Sequence, residues 1–213
     1  LQADPEICTY IETANSYLQV LGYTEHGLRH ASLVAHIAAN VLERLGKARR
    51  SCELAGVAGY LHDIGNVLGR PGHAQNGALM AWDLLRSRGM PPTEIAAVCA
   101  AIGNHEEDQG QPVNEVAAAL ILADKSDVHR TRVQNPDLTQ FDAHDRVNYA
   151  VRHSFLRVDA ARATITLELD IDTQLSGIME YFEIFLARMV MCRRAAAFLD
   201  CTFKLTINDV PLL

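Results

Sequence analysis

A histidine and an aspartate stand side by side at His62-Asp63, inside Gly59-Tyr60-Leu61-His62-Asp63-Ile64-Gly65-Asn66. An imidazole has one ring nitrogen to give a cation, and a carboxylate has two oxygens. Successive residues on a helix diverge by about 100°, so these two side chains can share an ion only where the helix stops; Gly65 is the residue expected to stop it. His30 lies upstream in Glu25-His26-Gly27-Leu28-Arg29-His30-Ala31, and Asp124 lies downstream in Leu122-Ala123-Asp124-Lys125-Ser126-Asp127. Two imidazoles and two carboxylates gathered from three helical stretches make a mixed nitrogen and oxygen donor set, which suits Fe, Mn, Zn, Co or Ni better than Ca. Ions of that kind polarise phosphoryl oxygens and lower the pKa of bound water to near neutrality.

The elements that must position these groups can be read from apolar spacing and breakers. Ile7, Ile11, Ala14, Leu18 and Leu21 recur at helical intervals, and Gly22 closes that first helix. A second helix is expected from about Glu25 to Leu45, with His26 and His30 four apart on one face and His36 turned away. A third, about Ala48 to Leu61, delivers His62 and Asp63. The breakers from Asn66 to Gly72 lead to His73, which opens a helix through Ala78, Leu79, Trp82 and Leu85. Pro91-Pro92-Thr93 starts the next, with Thr93 as its expected cap, and that helix reaches Asn104-His105-Glu106. Asn114 caps a last helix, Glu115 to about Asp127. Three successive helices thus begin or end on a candidate ligand, which suits a site at one end of a bundle.

Beyond a short helix after Asp142-Ala143-His144-Asp145 the period changes to two, in Thr164-Ile165-Thr166-Leu167-Glu168-Leu169-Asp170-Ile171, in Leu156 with Val158, and in Phe203-Leu205-Ile207. Asp159-Ala160-Ala161-Arg162 is the expected hairpin turn, and a helix from about Leu175 to Leu199 leads to the third strand. The fold expected is mostly α. An all-helical metal-binding domain occupies residues 1–153, and a small appendage of about three antiparallel strands and one long helix occupies residues 154–213.

In their order and contexts, His30, His62, Asp63 and Asp124 resemble the four positions that define the HD superfamily of metal-dependent phosphohydrolases, over about residues 25–135. The resemblance implies a helical HD bundle that hydrolyses a phosphomonoester or phosphodiester, a nucleotide above all, with a divalent transition metal, Fe or Mn ahead of Zn, Ni or Co. His73-Ala74-Gln75-Asn76-Gly77 is similar to the His-x-x-x-Gly step of the HD-GYP subgroup. Asn104-His105-Glu106 is similar to its His-His-Glu step, with Asn104 in place of the first imidazole. These matches imply His73 and His105 as ligands of a second ion, with Asp63 bridging the two ions and the nucleophilic water. His26 falls where that subgroup carries a further carboxylate ligand, which implies a third-metal ligand or a partner of the ligands.

There are two departures from the subgroup. Asn66 stands where a phosphate-binding Lys is common, and Asp108-Gln109-Gly110-Gln111-Pro112 replaces the Gly-Tyr-Pro loop. Both argue against a cyclic dinucleotide phosphodiesterase. Lys125, Arg130 and Arg132 match the neighbourhood where the subgroup binds phosphate, and are the phosphate-binding residues expected here. Their other reading is a solvated helix end that complements the helix dipole.

Composition bounds the rest. The 213 residues suffice for one core, or one core with a small appendage. A net charge of −7 argues against non-specific binding of nucleic acid. The five cysteines form no CxxC pair and read as reduced thiols. With no charged-then-apolar leader and no apolar run near the roughly 20 residues of a membrane span, the expected compartment is the cytoplasm. Ile178, Tyr181, Phe182, Phe185, Met189 and Val190 either cover the sheet, the favoured reading, or form the interface of a homodimer. His36, His129, His153 and the pair His144-Asp145 read as surface, core or capping residues. Two rivals to a hydrolase are a catalytically silent HD module that binds metal and ligand in a regulatory role, and, more remotely, a di-iron oxygenase.

Overall fold

The computed structural model describes residues 1–212. Its first helix, α1 (Pro5–Val20), starts where Asp4 accepts from the amides of Glu6 and Ile7, and ends before Gly22 at φ +82°. Helix α2 (Leu28–Arg44) begins three residues later than expected. The Glu25 carboxylate accepts from the Gly27 amide at 2.8 Å and folds residues 25–27 into a turn, so His26 precedes the helix rather than sharing its face with His30. Helix α3 (Arg49–Leu61) stops at His62, and a 3₁₀ turn (Ile64–Leu68) follows.

Gly65 sits inside that 3₁₀ turn, so it does not terminate α3. It is needed for proximity instead, because a Cβ there would lie 2.1 Å from the His73 carbonyl oxygen and 2.4 Å from the Gly77 nitrogen of α4 (His73–Ser87). Gly59 does the same for α3 on α2, where a Cβ would meet the Ala35 Cα at 2.7 Å. Leu79 and Trp82 of α4 face outward, and its inner face is Ala74, Gly77, Ala81, Leu84 and Leu85. Helix α5 (Pro92–Gly103) is entered through Pro91, which leaves Thr93 within the first turn rather than capping it. Asn114 caps α6 (Glu115–Ser126) by accepting from the Ala117 amide at 2.7 Å. That helix is buried on all sides from Val116 to Ala123, as its unbroken apolar run requires, and the others pack around it.

Asp142 caps α7 (Ala143–Ala150), which runs directly into β1 (Val151–Asp159). The turn after Asp159 leads to β2 (Thr164–Ile171), then α8 (Ile178–Phe198), β3 (Thr202–Ile207) and β4 (Val210–Pro211), in sheet order β1-β2-β3-β4. The sheet is mixed, not antiparallel throughout: β1–β2 and β3–β4 are antiparallel, but β2 and β3 run parallel, with Leu167 opposite Leu205. The reason is α8, a crossover long enough to carry the chain back to the end where β2 began.

The boundary drawn at residue 153 falls inside β1, and one apolar cluster runs from Ile7 through Leu120 to Phe185 and Leu205. Tyr181, Phe185 and Met189 are buried in it, each contributing roughly 1.5–3 kcal/mol of apolar burial. α8 is therefore a cover over sheet and bundle, and it holds the two parts together. Among the described residues no helix is long and apolar enough to cross a membrane.

Candidate metal centre

Helix ends deliver the candidate ligands to one place. His30 lies in the first turn of α2, and His62 and Asp63 follow α3. His73 opens α4, His105 follows α5, and Asp124 lies in the last turn of α6. His30, His62, His73, His105 and Asp63 are all buried.

Their donor atoms form two adjoining groups. In the first, His30 Nε2 is 3.3 Å from His62 Nε2, 3.3 Å from Asp124 Oδ1 and 3.6 Å from Asp63 Oδ2. His62 Nε2 is 3.2 Å from Asp63 Oδ2 and 3.5 Å from Asp124 Oδ1. In the second, His73 Nε2 is 3.2 Å from His105 Nε2, 3.5 Å from Asp63 Oδ1 and 2.9 Å from Glu106 Oε2. Donors about 2.0–2.2 Å from a common ion stand about 3.0–3.5 Å from one another, so both groups fit a transition metal. Asp63 belongs to both, one oxygen turned to each.

The far ring nitrogens set the tautomers. His62 Nδ1 donates to the Gly59 carbonyl at 2.8 Å, His73 Nδ1 to that of Arg70 at 3.0 Å, and His105 Nδ1 to that of Ile102 at 2.6 Å. His30 Nδ1 lies 2.7 Å from Asp127 Oδ2 and 2.7 Å from Arg132 Nη1; both donate to that carboxylate oxygen, which leaves the His30 proton on Nδ1. With the protons held there, the Nε2 lone pairs of His30 and His62 face each other, as do those of His73 and His105. Such an arrangement is stable only with a cation, a proton or a metal ion, between the nitrogens.

The electrostatics agree. Burial opposes charge on His62, but Asp63 and Asp124 outweigh it and its pKa is pushed up to about 10. Burial, with His62 and Lys125 nearby, brings His105 down to about 3. Burial alone would raise Asp63, yet His62 and His26 hold it well below the usual carboxylate range. Asp124 is depressed likewise against its burial, by Lys125, His30 and His62. The centre thus combines ionised carboxylates with one stranded positive charge, a position that a metal ion can take over as it releases the proton.

His26 reaches the site from its turn, edge-on to His30 with ring centroids 5.6 Å apart. Its Nδ1 is 2.5 Å from the Thr24 carbonyl and its Nε2 accepts from Arg132 Nη2 at 3.0 Å, so it stands behind His30 as a partner. Arg132 is buried, with Nη1 3.2 Å from Asp127 Oδ2 and 2.7 Å from His30 Nδ1. Lys125 is buried between Asp124 (2.7 Å) and Glu107 (3.1 Å). Arg130 packs over the Tyr149 ring. Asn66, in the position of the missing Lys, donates through Nδ2 to Asp63 Oδ1 at 2.9 Å and steadies that carboxylate.

Four residues at the centre were not expected as participants. Asp127 orients His30, and its position three residues after Asp124 was the available signal. Glu106 converges with His73 and His105, where Asn104 instead turns back to the Ala100 carbonyl. Arg70, from the breaker-rich loop, and Arg188, from α8, both line a cavity of about 400 Å³ beside His26. No local pattern marked either. His144 lines the same cavity. Residues 27–129 match the family model for the HD domain. No curated protein matches the chain.

Proposed function

We propose that the protein, of which residues 27–129 match the HD domain family, is a metal-dependent phosphohydrolase, a phosphomonoesterase or phosphodiesterase of a nucleotide or other small phosphate ester. The observation that carries the reading is the two pairs of opposed imidazole nitrogens, joined by the two oxygens of Asp63. His30, His62, Asp63 and Asp124 would hold one ion. Asp63, His73 and His105 would hold a second, with Glu106 available to it. The mixed nitrogen and oxygen donor set suits Fe, Mn, Zn, Co or Ni better than Ca, and the resemblance to the HD phosphohydrolases puts Fe or Mn first. When bound, such ions polarise the phosphoryl oxygens and lower the pKa of water.

The chain's own residues do the positioning. The carbonyls of Gly59, Arg70 and Ile102 and the Asp127 carboxylate fix the four imidazoles, and Asn66 fixes Asp63. Protein purified without chelators should carry close to two metal equivalents by elemental analysis. The loaded protein should turn over at least one member of a panel of phosphomonoesters, phosphodiesters and nucleotides. Asp63→Ala should lose both metal and hydrolysis, and full turnover by that variant overturns the reading. Tight ligand binding without turnover across the panel would make the chain a regulatory HD module instead.

A further inference from the structure

The three cations that follow Asp124 are poorly placed to meet a substrate. Lys125 and Arg132 are each only 4% exposed and are held in ion pairs, and none of the three lines the cavity beside the centre. Two other guanidinium groups do line it. Arg70 Nη1 lies 3.5 Å from His73 Nε2 and 3.8 Å from Asp63 Oδ1, so it touches the metal centre itself. Its shortest polar contact is a stretched 3.4 Å to Asn66 Oδ1, and its Nη2 is 3.7 Å from Glu106 Oε1, so none of its donors has a partner at ordinary hydrogen-bond distance.

Arg188 enters from α8, outside the HD domain. Its Cζ sits 4.5 Å from the centroid of the Phe185 ring, and its Nε is 2.8 Å from Glu107 Oε1. Among the described residues it has no hydrogen-bond or ion-pair partner other than Glu107, so its Nη nitrogens are free to donate. The cavity's one carboxylate, Asp142, already accepts from the Asp145 amide through Oδ1 as the cap of α7. In a chain of net charge −7, two guanidinium groups thus line one open volume of ligand size.

Building on the phosphohydrolase reading, we propose that Arg70 and Arg188 form the anion-binding wall of the site and take the phosphoryl oxygens of a small phosphate ester, with Tyr23, which lines the same cavity, beside the remainder of the molecule. Guanidinium forks pair with phosphate bidentately, which a buried ammonium cannot do. The appended helix is on this view part of the substrate site and completes what the HD domain leaves open.

The probe is inorganic phosphate, titrated calorimetrically into the full chain loaded with Mn and freed of excess metal. Arg188→Gln and Arg70→Gln should each weaken phosphate binding about tenfold or more at unchanged metal stoichiometry and unfolding midpoint. Arg188→Lys should recover part of the loss. Arg157→Gln, which breaks a surface pair with Glu168 on the sheet, should bind like the parent protein. Parent protein that does not bind phosphate, or Arg188→Gln and Arg70→Gln variants that bind it as tightly as the parent, overturns the wall. Arginine-dependent binding with no ester hydrolysed would keep the wall and remove the hydrolase reading. Hydrolysis with arginine-independent phosphate binding would do the reverse.

Discussion

Asp127 accepts from three side chains at once: His30 Nδ1 at 2.7 Å, Arg29 Nη2 at 2.9 Å and Arg132 Nη1 at 3.2 Å. Burial would favour its neutral form, but Arg132 and His30 hold its pKa far below the usual range. The carboxylate both fixes the His30 tautomer and neutralises a buried guanidinium. Replacing Asp127 by Asn keeps the shape and removes the charge. Metal affinity should fall about 10- to 100-fold in a chelator competition, since the imidazole loses the partner that orients it. Stability to urea should also fall, by about 3–5 kcal/mol, because Arg132 is left buried without its counter-ion. Unchanged metal affinity in Asp127→Asn would show that His30 needs no such support.

At the scale of elements, the centre depends on how closely helices approach. Gly59 lets α3 lie on α2 so that the rings of His30 and His62 meet at 5.1 Å, and Gly65 lets α4 lie on the turn after α3. A methyl group at Gly65 would press on backbone atoms, which cannot swing aside as a side-chain tip can. Gly65→Ala should therefore cost about 1–3 kcal/mol or more by thermal unfolding and displace the start of α4, where His73 sits. With two ions bound as proposed, its metal content should drop toward one, since His30, His62 and Asp124 lie on elements that α4 does not carry. Retention of two equivalents would mean that α4 can retreat without losing its ligand.

For the molecule as a whole, the candidate ligands come from five helices or their ends, and only the native state assembles them. Metal binding is then coupled to folding, and an ion at 100-fold its Kd adds about 2.7 kcal/mol. Chelation should lower the unfolding midpoint by about 5–10 °C in a chain of this size, and re-addition of Mn should restore it. In Asp63→Ala chelation should leave the midpoint where it was. A parent midpoint indifferent to chelator would argue that nothing occupies the centre.

The sequence by itself determined the candidate ligand types, the helix ends that carry them and three of the four strands of the C-terminal part. His62-Asp63, His73 and His105, the caps Asn114 and Asp142, and the alternation in β2 are all set by neighbours within a turn or two. Tertiary structure alone decided the rest: the parallel pairing of β2 with β3, the role of Gly65, the place of His26 before α2, the support of His30 by Asp127, and the placing of Arg70 and Arg188 on one cavity. Each of these depends on groups distant in the chain, or on how closely two backbones can pack, and no periodicity or capping rule encodes a distance between elements.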